Sequence, residues 1–179
     1  SGGCWYYFPL FIPKGSSIAA RAMGNVTTGI RVFATVYGQP RRPDVVKTGS
    51  RVFSFGETAA TATGTAITLG TTVKGNYVQV GSTTSMRLWW WQAGYTCIDT
   101  TMTLAAIHLD IAGGTTTTNN KVLAQDIFVN TSASEQINTN PLTSGCFSNL
   151  APSSNVYIRG ISSTTADGST SVMAYGLGG

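Results

Sequence analysis

The sequence predicts an all-β fold: a single antiparallel β-sandwich of about eight strands, jelly-roll in topology, with an extended aromatic N-terminal arm. Three observations predict it. Short apolar or alternating segments recur at fairly regular spacing, separated by Gly, Pro, Ser, Thr and Asn. Thr, Ser and Gly stand where Lys, Glu and Leu would furnish exposed helices, and no segment carries a long helical period with caps. The two ends of the chain also resemble each other. Residues 16–38 laid on 154–176 without a gap pair Ser16 with Ser154, Arg21 with Arg159, Thr27 with Thr165, Tyr37 with Tyr175 and Gly38 with Gly176. Each copy reads strand, Thr/Gly/Ser turn, strand, Tyr-Gly, which suits a closed β-structure with related hairpins at its two ends.

The elements follow in order. Residues 4–12 are intensely aromatic but interrupted by Pro9 and bounded by Pro13, so they suit an arm or edge strand and not a central strand. The division expected is an arm over residues 1–14 and one sandwich domain over 15–179. Lys14-Gly15 turns the chain into a strand at 18–22. Residues 25–29 make a turn, and 30–37 a strand with Val32, Ala34 and Val36 on one face. Pro40 and Pro43 mark a loop around Arg41 and Arg42, and residues 45–55 form the next strand. A short strand is expected at 66–69. Strands at 77–80 and 86–92, joined by a turn at 81–85, are expected to pair as a hairpin. The apolar run 102–111 reads as a strand closed by Gly113-Gly114, followed by a polar tip at 115–120 and a strand at 121–129. Residues 131–144 are an irregular connection, and strands at 156–161 and 171–175 close the fold.

A chain of 179 residues with 42% apolar composition can bury a sizeable core in one domain. Only 10% of residues are charged, against roughly 25% in ordinary soluble domains. So sparse a charged surface suits a protein that lives inside an assembly. The formal charge of +4 gathers only at Arg41, Arg42, Lys47 and Arg51, too small a footprint for specific nucleic-acid binding. No apolar run approaches the roughly 20 residues of a membrane helix, and no signal segment opens the chain, so neither a membrane nor secretion is expected. The three cysteines, Cys4, Cys97 and Cys146, are widely spaced and read as reduced thiols, with one bridge as the alternative.

No catalytic constellation, metal site or cofactor motif is evident. The lone His108 stands two residues from Asp110 on one strand face, but without a nucleophile or a third orienting group a packing role is favoured over an acid/base pair. Asp126 with Asn119 and Asn120 is explained more simply as a turn and strand end than as an ion site. Trp89-Trp90-Trp91 is the sharpest local signal. On a regular strand Trp89 and Trp91 share one face and Trp90 the other. The rings then serve the core, a partner interface or a sugar platform. The candidate interface residues are Trp5, Tyr6, Tyr7, Phe8 and Phe11 of the arm, Arg41, Arg42, and Trp89, Trp90 and Trp91. The arm either packs on its own sandwich or exchanges with a neighbouring subunit.

Pro13, Gly15, Ser16, Ile18, Ala19, Ala20 and Arg21 at the start, with Tyr175, Gly176, Gly178 and Gly179 at the end, resemble small β-sandwich virion proteins of tailed bacteriophages. The resemblance implies a capsid cement or decoration protein, with tail or fibre components as the near alternative. It implies the major capsid protein and further copies of the chain (a trimer or dimer) as partners. It implies placement on the capsid surface after synthesis in the host cytoplasm, and no catalytic residues. Two rivals remain: a carbohydrate- or receptor-binding module presenting an aromatic platform, and an enzyme using His108 and Asp110.

Overall fold

Strict alternation along one strand fixes which side of the sheet is dry. In 106–114, Ile107, Leu109 and Ile111 are fully buried and point into the apolar core, while His108 and Asp110 take the opposite face. The computed structural model describes residues 10–19, 49–56, 64–83, 85–98, 106–130, 146–163 and 169–179. They form nine strands: β1 Arg51–Phe55, β2 Thr65–Ile67, β3 Val78–Ser82, β4 Leu88–Ile98, β5 Ala106–Gly114, β6 Asn120–Asn130, β7 Cys146–Leu150, β8 Asn155–Ser162 and β9 Ser169–Gly178.

The strands lie in two sheets. One runs β1-β9-β4-β7, with β2 also on β9; the other runs β3-β8-β5-β6. Every strand pairing is antiparallel. The pairs nest inside one another along the chain: β1 with β9, β3 with β8, β4 with β7, β5 with β6. A long hairpin rolled up on itself gives that order, which is the jelly roll. Strand β9 carries both β1 and β2. It takes β1 along Gly178 to Ala174 and β2 along Val172 to Thr170, so the two short strands are pieces of a single lane. The chain leaves that lane at Gly56 (φ +87°) and rejoins it at Gly64 (φ +90°), and a Cβ at either would press on the Val172 carbonyl oxygen. Both positions need the left-handed backbone and the missing side chain.

The core lies between the sheets. Phe53, Phe55, Leu88, Trp91, Ala93, Val172 and Ala174 from the first meet Val80, Ile107, Leu109, Ile111, Val156 and Ile158 from the second. Trp91 stacks on Phe55 at 6.0 Å and donates its indole N–H to the Ser148 carbonyl at 2.9 Å. Gly176 lies opposite Trp91 and makes room for it.

Three expectations change. The hairpin of 77–80 with 86–92 does not form: β3 pairs with β8, while β4 pairs with β7 and β9 in the other sheet. Sequence neighbours usually pair, but here the connection crosses between sheets. It is held by the Thr83 hydroxyl accepting the Ser154 N–H at 2.7 Å. Gly81, expected in the turn, lies inside β3 at an irregularity in register, where a Cβ would meet the Phe55 ring. In addition, β7 forms where no strand was expected. The expected turn at Lys14-Gly15 is present, with Gly15 at φ +85° and the Ser16 N–H on the Pro13 carbonyl at 3.2 Å. Residues 18–19 form no strand. The strand at 30–37, most of the first copy of the internal likeness and the connection 131–144 lie outside the described residues.

Candidate interaction surface

The Trp89-Trp90-Trp91 run is read differently by the fold than by simple alternation. Leu88 faces Gly178 of β9 and Trp90 faces the next residue, Leu177, so Trp89 is an extra residue bulged out of β4. A one-residue insertion moves the side chains after it to the other face. Leu88 and Trp91 therefore both enter the core, while Trp89 and Trp90 both lie on the outer face of the five-stranded sheet. There they gather with Leu177, Val52 and Leu10.

None of the three tryptophans is available as the partner surface expected of them. Trp89 is 2% exposed, Trp90 5% and Trp91 0%. What the sheet presents instead is Phe147 of β7, 66% exposed. Its ring packs edge-on to Trp90 at 4.5 Å and lies parallel to Trp89 at 5.9 Å. Cys146, Ser148 and Leu150 turn inward around it, an alternation the sequence carried. Phe11 is exposed as well, its N–H on the Gly49 carbonyl at 3.0 Å, next to the parallel bridge of Leu10 with Gly49. Trp5, Tyr6, Tyr7, Phe8, Arg41 and Arg42 lie outside the described residues.

The other outer face carries a charged group, with the exposed Phe128 and Val122 beside it. Asp110 of β5 is fully buried, and its carboxylate accepts Lys74 Nζ at 2.7 Å, Arg159 Nε at 3.0 Å and the Asp126 backbone N–H at 3.0 Å. Burial alone would push this carboxyl up, but those bonds together outweigh it and hold it below its ordinary value. Burial pulls Lys74 down, yet its bonds to Asp110 and Asp126 leave it above its ordinary value. Asp126 sits in the left-handed region at φ 53°, at the bulge where β6 spends one more residue than β5. His108 shares the face with Asp110 as expected, but packs edge-on against Phe128 at 5.4 Å, its cross-strand partner. Asp110 is meanwhile committed to Lys74 and Arg159. Asp126 also binds Lys74, while Asn119 donates its N–H to the Thr116 hydroxyl, so these residues serve the fold separately. Lys74 and Arg159 as partners of Asp110 had no signal in the sequence; they lie 36 and 49 residues from it.

Cys146 holds a free thiol that burial pushes up. It lies opposite Trp91, and Cys97 is six residues further along β4. At about 3.3 Å per residue that is about 20 Å, beyond the roughly 7 Å a disulfide spans.

No family profile matches the sequence, and comparison with curated proteins gives no match. Among solved structures the chain is similar to the structure of infectious bursal disease virus Gx strain, at 12% identity and a TM-score of 0.36, over 80% of this chain and 38% of that one. The jelly-roll assignment rests on the strand pairing given above.

Proposed function

We propose that this chain is a non-enzymatic structural protein of a virus particle, a decoration or cement protein that binds the mature head of a tailed phage and holds neighbouring capsomers together. The observation that carries the proposal is Phe147. It is a large exposed ring seated on buried Trp89 and Trp90, in a chain with only 10% charged residues. A rigid aromatic fixed on a packed base loses little side-chain freedom when a partner covers it, which is the character of an interface anchor. Phe11 and the arm residues Trp5, Tyr6, Tyr7 and Phe8 extend the apolar contact to neighbouring copies or to the major capsid protein, and Arg41 and Arg42 meet acidic capsid surface. Copies that bind the assembled shell and not its dissociated parts stabilise it by mass action. Particles lacking the chain should lose genome or shell integrity on heating and at low salt sooner than complete ones. Equal resistance rejects the cementing role.

The parallel setting of Phe147 on Trp89 favours one second reading, a receptor- or carbohydrate-binding module that stacks a sugar ring on Phe147. It predicts glycan affinity that Phe147→Ala abolishes without changing oligomeric state. A glycan screen separates it from the first reading.

A further inference from the structure

Loop 70–77, between β2 and β3, is fastened to the outer face of the four-stranded sheet in two ways. Its backbone is pinned to one stretch of β8. The Gly70 and Gly75 N–H groups both donate to the Gly160 carbonyl, at 3.1 and 2.9 Å, and the Gly70 carbonyl accepts the Ser162 N–H at 2.8 Å. Its side chain Lys74 then reaches across the sheet to Asp110 on β5 and Asp126 on β6. Arg159 of β8 closes the group, bound to Asp110 and lying over the Tyr77 ring at 4.4 Å.

Apart from the half-buried Tyr77 ring, burial of apolar surface does little to hold this loop. Thr71, Thr72 and Asn76 are exposed, and Val73, the large aliphatic of the tip, is 73% exposed. The core cluster between the sheets is entirely apolar, and Asp110 lies outside it, on the far face of β5. The three backbone bonds and the charged group therefore hold the loop, while apolar packing holds the sandwich.

We infer that Asp110 is an acid-released fastening of loop 70–77: protonating its carboxyl leaves Lys74 on Asp126 alone, facing Arg159, and lets the loop lift from β8 while the two sheets stay folded. The groups that share this face are Lys74 and Tyr77 from the loop, Arg159 and Tyr157 from β8, Asp126 from β6 and His108 two residues along β5. At neutral pH the two carboxylates balance Lys74 and Arg159. Once Asp110 is neutral, the ammonium and the guanidinium are left facing each other, and the Asp126 N–H loses its charged acceptor. Release falls below the ordinary carboxylate value of 3.8, because the folded carboxyl is held under it.

The test is amide hydrogen exchange read residue by residue on the whole chain at about pH 6 and about pH 2.5, corrected for intrinsic rates. The Gly70 and Gly75 amides should lose protection about tenfold or more in acid, while those of Ile107, Leu109 and Ile158 keep theirs. Lys74→Met, which leaves Arg159 on Asp110 and so spares the fold, should produce the same loss at about pH 6. Asp110→Asn should lower the protection of the Gly70 and Gly75 amides already at about pH 6. Loop protection unchanged in acid, loss shared equally with the core amides, or Lys74→Met protected like the parent chain would each overturn the inference.

Discussion

Trp89 and Phe147 lie face to face, ring centroids 5.9 Å apart and planes 6° from parallel, although one is 2% exposed and the other 66%. The pair joins a bulge in β4 to the edge strand β7. It converts an aromatic run whose rings are all buried into a single ring offered to solvent. Stability and recognition are thereby divided between neighbouring residues.

That division is measurable. Trp90→Ala should cost about 3–5 kcal/mol in chemical denaturation, because it empties a buried cluster against Leu177, Val52 and Leu10. Phe147→Ala should cost under about 1 kcal/mol, since its outer surface is already wet. On the proposed function Phe147→Asp should fold normally and fail to bind particles.

Gly176 predicts a packing effect in the opposite sense. An alanine Cβ there would stand 2.9 Å from Leu88 Cδ1 and 3.2 Å from both Phe55 and Trp91. Gly176→Ala should therefore destabilise the protein by about 1–3 kcal/mol. Loss of near-ultraviolet circular dichroism from Trp91 would accompany the shift in denaturation midpoint.

The charged group sets a pH window for stability. Asp110 has a folded value below its ordinary 3.8, so its contribution is complete above about pH 4 and is lost as pH falls through the depressed value. Lys74 lies above its ordinary 10.5, so its contribution is complete below that value and is lost as pH rises through the raised one. The Asp110–Lys74 pair should add no pH dependence between these limits, while the burial-raised Cys146 thiol lowers unfolding free energy as pH rises past its ordinary 9.0. Asp110→Ala should cost about 2–4 kcal/mol at neutral pH, less than a wholly buried pair, because Lys74 and Arg159 keep 18% and 31% side-chain exposure.

Register predicts the state of two cysteines. Peptide mapping without reductant should find no Cys97–Cys146 disulfide, and Cys146 should alkylate more slowly at about pH 8 than an ordinary exposed thiol, because burial raises it.

Most sheet-forming segments were legible from short apolar runs rich in β-branched residues and closed by glycines, as in Ile107, Ile111 and Gly113-Gly114. A sandwich or barrel was legible from strand spacing and turn residues. Pairing was less so: nothing local told that β3 and β4 part to different sheets, since β3 finds its partner in β8, where the Gln79 side chain donates to Asn155 across 76 residues of chain. The facing of the tryptophans was hidden for a related reason. A single bulged residue inverts the facing of a strand, and a bulge is set by the partner strand rather than by the run itself. Phe147 was overlooked because the alternation around it is short, and the Asp110 group because its members are brought together only by the fold.

The most direct test of the central claim is immunogold labelling of purified particles from the source with antibody to this chain. A decoration protein predicts dense, regular label over the head. Absence of label from every particle would contradict the account.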